Sequence, residues 1–76
     1  MSECSIDHSH VDVMEKLESQ KTFLPAYLYD SLRNYLQEER TQDILNDLFH
    51  LLKKYDLVSE EERDVRNKRL ALVVNN

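Results

Sequence analysis

Five side chains of metal-ligand type fall between positions 4 and 12: Cys4, Asp7, His8, His10 and Asp12. A thiolate, two imidazoles and two carboxylates are the donors that hold zinc. Their spacing argues against a site. Structural zinc centres pair closely spaced cysteines with spaced histidines, whereas this segment has one cysteine and an H-x-H. Residues two apart on a helix do not share a face, so a site here would need an extended segment or ligands from a second chain. We expect no metal and no cofactor.

Other reactive types are equally isolated. His50 falls opposite the Leu48 and Leu52 face of its segment, without a nucleophile beside it. Glu38 with Glu39, and Glu60, Glu61 and Glu62 together, are adjacent carboxylates. Paired carboxylates do acid–base work when a cleft separates their pKa values, but at helix ends they compensate the backbone dipole. Arg63, Arg66, Lys68 and Arg69 make a basic group late in the chain, a pattern a DNA recognition helix would use. Acids are interleaved with them, and the chain carries a net charge of −5, which a phosphate backbone repels. These patterns predict a protein that is not an enzyme and does not bind nucleic acid.

What remains is recognition, and the stretch "LPAYLYDSLRNYL" carries its best residues. On a helical wheel Leu24, Leu28, Leu32, Tyr35 and Leu36 share one face. Tyr27 and Tyr29 flank it and widen the apolar arc to roughly 200°, more than the stripe of an ordinary surface helix. Tyrosines at such margins bury their rings and keep their hydroxyls wet, as interface residues do. Tyr35 is expected in the core.

The elements that must position these residues read as helices. The chain has no glycine and one proline, which argues against tight hairpins and phosphate loops. Apolar residues make up 41% and charged residues 33%, with leucines spaced through the charge. Residues 1–7 have no period and are expected to be disordered. Asp7 or Ser9 caps a first helix over about 9–21. Pro25 suits the first turn of a second, over about 25–39. Thr41 caps a third, over about 42–55, with Asp43 in its first turn. Ser59 with Glu62 forms a capping box for a fourth, over about 60–72. Its apolar residues wrap most of the way round, so residues 71–76 could equally be extended.

The fold expected is an all-α single domain of 76 residues: a small bundle of three to four short helices built on a central antiparallel hairpin of the second and third. No apolar run approaches the ~20 residues of a membrane span, and no basic and apolar leader opens the chain. The single cysteine suits a reducing, cytoplasmic setting. The second and third helices are more apolar than a hairpin can satisfy alone, and the first and fourth offer only partial cover. The expectation is therefore a regulatory or adaptor protein that binds protein partners through apolar helix faces, most simply as a homodimer. Its contact residues would be Tyr27, Leu28, Tyr29, Leu32 and Phe49 with Leu70, Leu72, Val73 and Val74. The alternative is an acidic inhibitor or immunity-type protein that blocks a basic surface of a nuclease or DNA-binding regulator.

Overall fold

The computed structural model describes residues 7–75; Cys4, and what was expected of residues 1–6, lie outside it. Four α-helices and no strand are present among the described residues: α1 (His10–Ser19), α2 (Ala26–Tyr35), α3 (Gln42–Leu52) and α4 (Glu60–Val74). A 3₁₀ turn, Tyr55–Leu57, precedes α4. The bundle is all-α, as the spacing of the leucines predicts.

The starts of α1, α3 and α4 are each set by a short polar side chain. Ser9 caps α1 and closes a reciprocal box with Asp12: its Oγ accepts from Asp12 N at 3.1 Å, and its N–H donates to Asp12 Oδ2 at 3.3 Å. Thr41 Oγ1 accepts from Ile44 N at 3.3 Å, and Ser59 Oγ accepts from Glu62 N at 3.2 Å. The Ser59 box is only half formed, because the Glu62 carboxylate turns to Arg66 Nε at 2.9 Å. Pro25 stands at the N-cap of α2, one position before its first turn.

α1, α2 and α3 all end earlier than their sequence suggests, and at α2 and α3 side chains take the terminal carbonyls. At the end of α2, Arg40 Nε donates to Tyr35 O at 2.9 Å while its guanidinium stacks 3.7 Å above the Tyr35 ring. His10 Nε2 meets Leu36 O at 2.5 Å, which places the proton on Nε2. At the end of α3, Arg66 Nη1 donates to Leu51 O at 3.3 Å and Lys53 O at 2.8 Å. Lys54 then adopts the left-handed region at φ 56°, a turn that a glycine would ordinarily make. Arg63 holds the 3₁₀ turn through Tyr55 O at 3.2 Å and Asp56 O at 2.9 Å. The buried Gln20 side chain accepts from Asp56 N at 3.0 Å. Conversely, α4 runs through Val74, so residues 71–74 of the stretch that could have been extended are helical.

The helix pairing differs from the expected central hairpin. The principal packings are α1 against α3 and α2 against α4, followed by α3 against α4 and α1 against α2. The consecutive helices α2 and α3 are not among these four packings. The cause is that α1 and α4 cover more than their patterns suggest. Val13 and Leu17 from α1 and Leu70 from α4 are fully buried with Leu28, Leu32, Leu36, Leu48, Leu52 and Tyr55. Met14, Ile44, Leu51, Ala71, Val73 and Val74 pack around this core. Among the described residues no buried side-chain nitrogen or oxygen lacks a hydrogen-bond partner.

Candidate functional site

The metal-ligand candidates do not converge. The His8 ring stacks on Phe49 at 3.6 Å and 8°, with His50 edge-on at 5.5 Å, while His10 turns to Leu36. Residues 7 and 8 are strapped to α3. Asn46 Oδ1 accepts from His8 N at 2.9 Å, Gln42 Nε2 donates to His8 O at 2.6 Å, and Asn46 Nδ2 donates to Asp7 Oδ1 at 3.2 Å. Among the described residues no three His, Cys, Asp or Glu side chains form a group able to hold a metal ion.

The expected contact residues divide by burial. Leu28, Leu32 and Leu70 are core, essentially inaccessible, and present nothing to a partner. Phe49 is half-buried beneath His8, with Lys16 Nζ 5.3 Å from its ring centre. Tyr29 is buried, and its hydroxyl donates to Glu18 Oε2 at 2.5 Å. That bond, then burial, raises the Tyr29 phenol above its ordinary value. Tyr35, expected in the core, is only half-buried because Arg40 rather than a leucine covers its ring. Tyr27 is 67% exposed and Leu72 65%. Val73 and Val74 are intermediate: Val73 faces a groove against α3, and Val74 faces the C-terminal half of α2.

Of these residues, Leu72 and Val73 share one groove. A groove of about 420 Å³ runs between α3 and α4, lined by Leu51, Leu72 and Val73 with Asp47, His50, Glu62, Arg66 and Arg69. Its polar edges are unequal. Arg66 is committed to Glu62 and to the end of α3, whereas Lys68 and Arg69 have no ion pair or hydrogen bond among the described residues. Val65, 51% exposed, lies two turns before Leu72 on the outer side of α4. Sequence reasoning placed Val65 and the two cations outside the contact set. They become visible only once Leu70 is assigned to the core, because that fixes which side of α4 faces out.

The basic group is likewise split. Arg63 and Arg66 turn inward as caps, leaving Lys68 and Arg69 exposed on the surface. No helix among the described residues is long and apolar enough to cross a membrane. No protein-family model, curated protein or solved structure matches the chain.

Proposed function

We propose that the chain is a small, non-enzymatic regulatory or adaptor protein of the cytoplasm, acting by protein–protein binding through an apolar helix face and self-associating through it. One observation carries the reading. Val65 and Leu72 stand exposed on α4 beside the Leu51 and Val73 groove, although the core beneath is closed. A core that no longer needs these side chains leaves them for a second surface. Their rim of unpaired cations suits an interface with an apolar centre and a polar edge.

Sedimentation equilibrium and affinity capture test this with wild type and Leu72→Asp. The expected result is an association that wild type makes and Leu72→Asp loses at unchanged helical content. A wild type that stays monomeric to high micromolar concentration, and captures nothing that Leu72→Asp does not, overturns it.

The inhibitor reading draws on a different face. α1 and α3 pack together and expose Asp12, Glu15 and Asp43. Capture of a basic target there would weaken steeply with added salt, and Leu72→Asp would not affect it.

A further inference from the structure

The exposed side of α4 has a mirror order about Val65. Residues three and four positions either side of it share its helical face. At three positions stand Glu62 and Lys68, at four Glu61 and Arg69. Acid answers base twice, with Val65 at the centre, and Leu72 lies two turns on along the same face. Glu61, Val65, Lys68, Arg69 and Leu72 are all exposed, and Glu62 is half-buried.

We propose that this face binds a second copy of the chain as an antiparallel, two-fold symmetric α4 pair centred on Val65. This rests on the self-association reading above and names its interface. A two-fold axis at Val65 sets each position against the one equally far on the other side. Val65 meets Val65 of the second copy. Leu72 lies at the N-terminal end of the second copy's α4, which begins at Glu60. Glu61 meets Arg69, and Lys68 meets Glu62, whose existing bond to Arg66 engages one carboxylate oxygen. Each off-axis contact occurs twice. The pairing supplies the cations Lys68 and Arg69 with the anions they lack within one chain.

Charge decides the orientation. A parallel pair would set Glu61 on Glu61 and Arg69 on Arg69, a repulsive arrangement. The antiparallel contact is isologous and closes at two copies, so it does not propagate into fibres. Its size sets its strength. A 15-residue helix is about 22 Å long, which places one helix pair at or below the ~1,200 Å² lower edge of stable interfaces. The dimer is therefore a weak, concentration-dependent one.

The test uses the whole chain with Cys4→Ser. Val65→Cys on the axis brings two thiols within disulfide reach, so mild oxidation should give a covalent dimer. Val11→Cys, equally exposed but on α1, should give little. Sedimentation equilibrium then reads the charges. Glu61→Arg or Arg69→Glu alone should weaken the dimer roughly tenfold, since each replaces two attractive contacts by two repulsive ones. The two together exchange the charges and should restore it to within about threefold. Cross-linking of Val65→Cys no faster than Val11→Cys, or a double variant weaker than either single one, overturns the interface. If wild type still dimerises in that case, self-association stands and this face is wrong. A wild type that is monomeric throughout also overturns it, and binding to a foreign partner is then judged by the capture experiment alone.

Discussion

Leu70→Ala and Leu72→Ala are two residues apart on one helix and should behave as opposites. Leu70 is completely buried in the core, whereas Leu72 is 65% exposed. Truncating a buried leucine removes its transfer free energy and leaves a cavity, together ~2–5 kcal/mol. An exposed leucine costs within about 0.5 kcal/mol. For 76 residues the total stability is on the order of 4–11 kcal/mol. Leu70→Ala therefore removes about a sixth of it at the least and at the most brings the chain to unfolding. With a urea slope of ~1 kcal/mol/M for a chain this short, its midpoint should fall by roughly 2 M or more. Leu72→Ala should move the midpoint by less than about 0.5 M. The assay is circular dichroism in urea at low micromolar protein, where association contributes little. Comparable losses from both variants would refute the assignment of Leu70 to the core and Leu72 to the surface.

Lys54→Gly should stabilise the fold by up to ~1 kcal/mol, because a side chain at φ 56° carries a steric penalty that glycine does not. A lower urea midpoint would count against that turn. Alkali should destabilise the protein. Tyr29 is held above its ordinary value of 10.0 by the Glu18 hydrogen bond and then burial, and Tyr55 by burial, opposed in part by its bond to Asn67. The folded state therefore keeps these protons after the unfolded chain has lost them. The contribution is complete below about pH 10 and is lost as pH rises through the folded values. Urea midpoints on either side of about pH 10 check this, and Tyr55→Phe should flatten the fall. An unchanged slope in Tyr55→Phe would remove that tyrosine from the account.

Helix starts were legible in the sequence because caps are local chemistry: Ser9, Thr41 and Ser59 each bond a backbone N–H three residues on. The ends of α2 and α3 were less so, because His10 and Arg66 reach them from distant segments. The buried stripes of α2 and α3 were readable from their period, but not which helix would cover each. That gap explains why Leu28, Leu32 and Leu70 were expected at a contact surface. Apolar surplus on a helix marks a face to be covered, and only the neighbours decide whether the cover is internal. Phe49 fell to the same effect, since its cover is a histidine that precedes α1. Tyr27 and Leu72 stay exposed, Leu72 because α4 has more apolar sides than the bundle can use.

The order of packing also determines how the chain can be divided. α1 pairs with α3 and α2 with α4, so the partners interleave along the chain. A cut in the α2–α3 connection separates both principal pairs at once and leaves two halves, each deprived of its main covering helix. Neither half should hold structure alone, yet the two mixed together have every contact needed to reassemble. Such a chain offers no stable fragment to a protease. A single nick at that connection could instead turn folding from a one-chain event into a two-chain, concentration-dependent one.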